Sequence, residues 1–363
     1  MSLPSWMNPL TLRLGRWLGR KPAPAGAEPE GSAALRRPAA RAAAAPEATQ
    51  ALSGSELALD EARAGFVRWL LGQPARAAAT SPPAPDPAAK ALIAHLDAVI
   101  ASDTSLASLL PRAAQVVPQL MQTLRDERYS AAEVALRISK DVVLATEVIR
   151  LANSAHRSGQ QPIVDIVHAV TALGTDGLRR VIAKVVLRPI FESRSAPLSV
   201  LAAPRIWQDA EAKARLCVAL APGFAVDPLD AYLAGLLQNI GWTAALRALD
   251  GAKPAPARPE TLVSHPDIAA ELFLRRDALF ARLVSPWQLS AGLSALADEI
   301  DVAGLAAARS PLAETLKLAE RLAIHYCLQQ SGALPSGPPA LLAALPLQVQ
   351  EAYAALDLAA LSP

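Results

Sequence analysis

Apolar residues recur at three- and four-residue intervals along most of this chain, a spacing that predicts amphipathic helices with one face turned inward. The first stripe is Leu59, Ala62, Phe66, Trp69 and Leu70, opened by the capping box Ser53-Gly54-Ser55-Glu56 and closed by Gly72 and Pro74. A second capping box stands at Ser130-Ala131-Ala132-Glu133. Asp141 is placed to cap a helix from Val142 to Asn153, with Val143, Leu144, Val148, Ile149 and Leu151 apolar. Pro162 precedes the stripe Ile163, Ile166, Val167, Val170 and Leu173, which Gly174 stops. Thr175-Asp176 then caps a helix with Leu178, Val181, Ile182 and Val185 inward and Arg179, Arg180 and Lys184 outward. Asp227-Pro228 pairs an N-cap with a proline at the first helical position, and its helix runs into Leu233 to Trp242. Helical signals continue through Pro286-Trp287 and Leu312 to Leu328, break at Pro335 to Pro339, and resume in a short C-terminal helix. The pattern has no repeat period of a solenoid.

Composition agrees with an all-α fold. Alanine and leucine dominate the 363 residues, aromatics make up 4%, and strand-favouring runs are almost absent. The 31 prolines are poor guests inside helices and are expected in linkers. The organisation read from these shifts is a basic amphipathic segment (1–21), a disordered Ala/Pro linker (22–50), an amphipathic helix (51–74), a linker (75–88), a main helical domain (89–330) and a C-terminal extension with a short helix (331–363). The bulky face of the 51–74 helix needs a covering surface, supplied either by the main domain or by another protein. Net charge is +2, but residues 1–21 alone carry Arg13, Arg16, Arg20 and Lys21 with no acid, which leaves −2 for the rest. A body so near neutrality lacks the basic stripe of a nucleic-acid binder. Within residues 8–21, Leu10, Leu14, Trp17 and Leu18 lie opposite the arginines, a pattern suited to weak peripheral contact with an anionic membrane. No run of about 18 apolar residues occurs, so no helix is expected to span a bilayer. Cys217 and Cys327 share no ligand spacing and are expected as buried free thiols, which suits a cytoplasmic protein, peripheral at the inner membrane if the first segment binds there.

The chemistry-bearing stretch is Leu236-Leu237-Gln238-Asn239-Ile240-Gly241-Trp242. It looks like the metal-binding string Leu-Leu-His-Asp-Ile-Gly with both ligands replaced by neutral amides. Further strings resemble the HDOD domain family. Leu109-Leu110-Pro111 through Val117-Pro118 is similar to its leucine-proline opening; Ile138-Ser139-Lys140-Asp141 with Ile149-Arg150-Leu151-Ala152-Asn153-Ser154-Ala155 resembles its "ISKDP…RLANSA" signature. Pro162-Ile163 with Ala169-Val170-Thr171-Ala172-Leu173-Gly174 resembles its "PI…AI..LG" block, and the likeness covers roughly residues 90–325. The family signature positions are thus Ser139, Asp141, Leu151, Ala152, Asn153, Ser154, Leu173 and Gly174.

The resemblance implies an all-helical bundle related to the HD metal-dependent phosphohydrolases, used as a regulatory domain in bacterial signalling and generally lacking the catalytic ligands. Matched motif to motif, the first HD histidine falls on Asp209, the His-Asp pair on Gln238-Asn239, and the late aspartate on Glu320. Neutral amides are poor primary ligands for a transition metal, and two carboxylates make a thin shell. The expectation is therefore a degenerate HD site with no catalytic residue, no metal and no cofactor, and a packed polar relic at Gln238-Asn239. The partner implied is a signalling protein, such as a kinase or a cyclic-dinucleotide enzyme, with no nucleic acid. The alternatives left open are a metal-dependent phosphohydrolase with a reduced site and a nucleotide-sensing domain that uses the vacated pocket. His95, His168 and His325 stand alone on helices, His265 is read as a helix cap, and Asp298-Glu299 lies where catalytic relatives carry histidines. No Ser/His/Asp set, Gly-rich phosphate loop or CxxC offers another chemistry.

Overall fold

The computed structural model of the chain describes residues 59–74, 87–110, 142–155, 162–192, 196–253, 257–263, 265–335 and 337–360. Every regular element among them is a helix. The basic segment, the first linker, both capping boxes, most of the leucine-proline string, Ser139 and Asp141 lie outside the described residues.

Helix α1 (Leu59–Leu70) buries Phe66, Val67, Trp69 and Leu70 and ends where Gly72 turns to φ +66°. It is followed by α2 (Pro87–Ile100) and α3 (Asp103–Leu109), whose N-terminus is capped by Ser102. The signature helix α4 (Val142–Ala155) carries Leu151, Ala152, Asn153 and Ser154, and packs on α5 (Ile166–Phe191). Asn153 joins them: its side chain donates to Ile163 O at 2.8 Å and accepts from Ile163 N at 2.8 Å, so one amide satisfies both backbone groups of that residue. Gly174 breaks α5 with φ +62° and ψ −176°, a conformation that favours glycine, so the stop read at this position is real although the helix resumes at once.

The central layer is α6 (Pro197–Leu220), α7 (Pro228–Gln238) and α8 (Ile240–Asp250). Asp250 caps α6 by accepting from Leu198 N and Ser199 N. Asp227 caps α7 as its sequence predicts. After a single turn, α9 (Pro259–Leu262), come α10 (Pro266–Val284), α11 (Ala291–Ala303) and α12 (Pro311–Gln330). The C-terminal α13 (Ala340–Ala343) buries Leu341 and Leu342, and α14 (Leu347–Ala360) packs back on the body through Val349, Tyr353 and Leu356. No described helix is long and apolar enough to cross a membrane.

Three expectations need correction. Pro189 and Pro204 sit inside α5 and α6 rather than in linkers. Val167, assigned to the apolar stripe, is half exposed. Lys184, assigned to the outer face, is buried and pairs with Glu211 on α6. The long aliphatic stem of a lysine can follow a helix interface when its ammonium meets a carboxylate there.

Candidate functional site

The chain path brings Asp209, Gln238, Asn239 and Glu320 together at the junction of four helices. Asp209 lies mid-way along α6, Gln238 ends α7, Asn239 is the single residue between α7 and α8, and Glu320 lies mid-way along α12. The packing is close because two glycines lie at the crossings. A Cβ at Gly235 would sit 2.7 Å from Ala214 Cα, and one at Gly241 would sit 2.1 Å from the Arg276 carbonyl oxygen. The glycine of the Leu-Leu-Gln-Asn-Ile-Gly string is therefore required by helix approach.

Three charged residues that the motif comparison did not single out complete the site. Lys213, one turn after Asp209, is 1% exposed and directs its ammonium to Asn239 Oδ1 at 2.7 Å, Asp209 Oδ2 at 3.1 Å and Glu320 Oε1 at 3.6 Å. Arg276 on α10, also 1% exposed, donates to Glu320 Oε1 and stacks its guanidinium 4.8 Å from the Phe273 ring centroid and 5.6 Å from that of Trp242. Its Nε lies 2.9 Å from Asp277 Oδ1, close enough for strong attraction but misaligned for a hydrogen bond. The amides bind the carboxylates: Asn239 Nδ2 donates to Asp209 Oδ2 at 2.8 Å and to Ile206 O at 3.0 Å, and Gln238 Nε2 donates to Asp277 Oδ1 at 3.3 Å. Both amides are fully buried, and Gln238 Oε1 has no hydrogen-bond partner there.

Signals for these residues existed in the sequence. Asp209, Lys213 and Cys217 recur every four residues on one face, and a buried cysteine marks that face as inward. Arg276-Asp277 follows Phe273 in a helix whose inner face is apolar, so a charged residue there implied a charged partner.

The electrostatics are those of a closed ionic cluster. Burial pushes Asp277 up to about 6, with Arg276 opposing the rise and Glu320 adding to it. Burial also acts upward on Glu320, but the attraction of Arg276 and Lys213 outweighs it and holds that carboxyl below its ordinary value. For Arg276, burial acts downward and is outweighed by Asp277 and Glu320. Cys217 is pushed up to about 12 by burial, so it stays a neutral thiol near the cluster.

A metal-dependent site built at these positions needs anionic and imidazole donors converging on an open cation position. The donor set here does not fit: the interior is filled by an ammonium and a guanidinium, and among the described residues no histidine enters it. Among the described residues no cluster of His, Cys, Asp and Glu could hold a metal ion. Three of the described histidines are engaged elsewhere. His95 Nε2 meets Ala248 O at 3.2 Å, His325 Nδ1 meets Tyr353 Oη at 2.9 Å, and His265 Nδ1 accepts from Asp267 N to cap α10. Asp298 accepts from Ser285 Oγ, and Glu299 accepts from the backbone N–H groups of Arg309 and Ser310 at the start of α12. Trp207 is half-buried against Phe191, with ring centroids 5.3 Å apart.

Compared with known families, the chain matches the HDOD domain over residues 110–300, more than half its length. It belongs to the HDOD family. The helices α1 to α3 precede the matched HDOD region, and α12 to α14 follow it. A candidate metal-dependent phosphohydrolase from Shewanella amazonensis SB2B superposes with a TM-score of 0.52 at 17% identity, covering 74% of this chain and 98% of that one. An HDOD domain protein of unknown function from Geobacter sulfurreducens gives a TM-score of 0.48 at 20% identity, with 74% and 98% covered. At such identities the first likeness is one of fold. An uncharacterised protein of Treponema pallidum is 24% identical over 164 residues, 45% of this chain and 29% of that relative, so only a minor part of the relative's length is spanned.

Proposed function

We propose that this HDOD protein is a non-enzymatic regulatory module of bacterial signalling that acts by binding another signalling protein. The observation that carries the reading is the Lys213 ammonium 3.1 Å from Asp209 and 2.7 Å from Asn239, between two positions that the motif match assigns to the HD ligands. A site whose interior is filled by its own cations has no open coordination position from which to activate a water. The vacated-pocket form of nucleotide sensing loses support for the same reason, since the side chains of Lys213 and Arg276 take up that interior.

The test has two arms. Metal analysis of protein purified from manganese- and iron-supplemented cells is expected to find no stoichiometric metal, and assays on cyclic dinucleotides and phosphomonoesters to find no turnover. Bound manganese or iron with turnover that disappears in Asp209→Ala overturns the reading. The binding arm compares partners captured by the full chain with those captured by a chain beginning at Leu59. The cut belongs there because Phe66, Val67 and Leu70 are core residues. Failure of either chain to retain a signalling protein counts against the partner half of the proposal.

A further inference from the structure

Between the end of α5 and the first half of α6 lies a hollow of about 300 Å³, which shares no lining residue with the ionic cluster. That volume is at the small end of the range for small-molecule sites. Its apolar wall is a corner: the rings of Phe191 and Trp207 have centroids 5.3 Å apart and meet at 59°, with Val200 and Pro204 lining the hollow beside them. Its polar lining carries one charge of each sign. The Arg188 guanidinium lies 5.8 Å from the Trp207 ring centroid, and Glu192 stands at the C-cap of α5. Both residues are exposed, and neither side chain has a hydrogen-bond or ion-pair partner among the described residues. Pro204 adds a third polar group. Having no N–H, it leaves the Val200 carbonyl without its helical donor, between two of the lining residues.

We propose that this hollow is a binding site for a free α-amino acid with an apolar side chain, such as leucine, methionine or phenylalanine. A cation and an anion that line one hollow without pairing match a ligand that carries the same two charges in reverse. The ligand carboxylate meets Arg188, whose planar fork binds carboxylates through two hydrogen bonds. Its ammonium has three donors, which Glu192 and the freed Val200 carbonyl accept. Its side chain fills the corner of Phe191 and Trp207 and covers Val200, an apolar residue that is 44% exposed. A planar base suits the hollow less well. It stacks in a parallel-faced slot or on an open ring face, whereas here the two rings meet at 59° and Arg188 already lies over Trp207. The proposal gives the regulatory module an input, but it does not depend on that reading, because the hollow stands apart from the degenerate HD positions.

The experiment titrates the full chain with leucine, methionine and phenylalanine, read by thermal melting and by equilibrium dialysis. Expected is about one equivalent bound of at least one of the three, with melting raised by about 2–5 °C at ten times its dissociation constant. The matching amino alcohol, which lacks the carboxylate, and the matching acid without its ammonium each bind at least about tenfold more weakly. Arg188→Gln and Glu192→Gln weaken binding to a similar extent. Val200→Arg fills the hollow from an exposed position and abolishes binding, whereas Val302→Arg, at a residue of α11 that is 88% exposed, leaves it unchanged. All four changes lie at exposed positions and are expected to leave the ligand-free melt intact; should Val200→Arg not fold, the two charge variants decide alone. Absence of binding by all three amino acids up to about 10 mM overturns the proposal. So does binding that survives both Arg188→Gln and Glu192→Gln, or that tolerates loss of the ligand carboxylate. Guanosine or adenosine bound in a form that Val200→Arg removes would put a base in the hollow and overturn it equally.

Discussion

Asp277 and Glu320 share the guanidinium of Arg276 but are displaced in opposite directions, and the difference sets how the fold responds to pH. Asp277 has its carboxyl pushed up to about 6 from an unfolded value of 3.8. Between those values the folded chain keeps a proton that the unfolded chain has lost, so this group lowers stability as pH rises from about 4 to about 6 and continues to cost stability above. Glu320 is depressed below 4.5, so its contribution is present above that value and fades as pH falls through its lower folded one. Asp277→Asn removes the excess charge while keeping an oxygen for Gln238. Its melting temperature is expected to exceed wild type at neutral pH and to lose the decline between about pH 4 and 6. Thermal melts across that range check this, and an unchanged slope sinks the assignment to Asp277. Gly241 is a second single-residue test. An added methyl would meet the Arg276 carbonyl at 2.1 Å, and backbone cannot yield as a flexible side chain can. Gly241→Ala is expected to cost at least about 1–3 kcal/mol in denaturant unfolding, the usual range for overpacking.

At the scale of elements, α1 shows what periodicity states and what it omits. The stripe Leu59, Ala62, Phe66, Trp69 and Leu70 defines a helix and its buried face, and the structure agrees, except that Leu59 is half exposed. What that face packs on was not legible, because a 3.6-residue period carries no information about the partner. The partner is the main domain: Phe66 has its ring centroid 6.0 Å from Trp242 and 5.7 Å from Phe273. Trp242 directly follows Gly241, so α1 closes over the apolar side of the ionic cluster although it lies outside the matched family region. Phe66→Ala is expected to cost about 3–5 kcal/mol, as for other buried aromatics, and Leu59→Ala close to nothing. Equal effects of the two in chemical denaturation would contradict this packing. Prolines misled for a related reason. Pro189 comes two residues before the end of α5, where little helix remains to be disrupted, but Pro204 interrupts the first half of α6, and its lost backbone hydrogen bond is tolerated because both helices are held by tertiary packing.

At the scale of the whole molecule, the ionic cluster ties together segments that lie far apart in sequence, from Asp209 to Glu320, and this is the part of the site that motif comparison could reach only halfway. Asp209, Gln238, Asn239 and Glu320 could be picked out by motif matching, and the structure does bring them into one cluster. Their replacements as counter-charges, Lys213 and Arg276, could not be picked out, because a lysine or arginine on a helix is usually solvated and only tertiary approach reveals it as buried. Burying so many charges is weak evidence for stability in itself, since desolvation can exceed the attraction gained; what is costly is to remove one partner and strand the other. Lys213→Met strands Asp209 and is expected to destabilise by about 3–5 kcal/mol, and Asp209→Asn by a smaller amount, since Asn239 and Glu320 still face the ammonium. The double variant is expected to be more stable than the sum of the two single losses by about 1–3 kcal/mol, because each change removes the charge that the other would leave unpaired. Denaturant unfolding of the four proteins in the cycle measures that coupling. Simple additivity would mean that the 3.1 Å contact between Lys213 and Asp209 does not act as an ion pair in solution, and the packed cluster would then have to be held by its amides and its apolar walls alone.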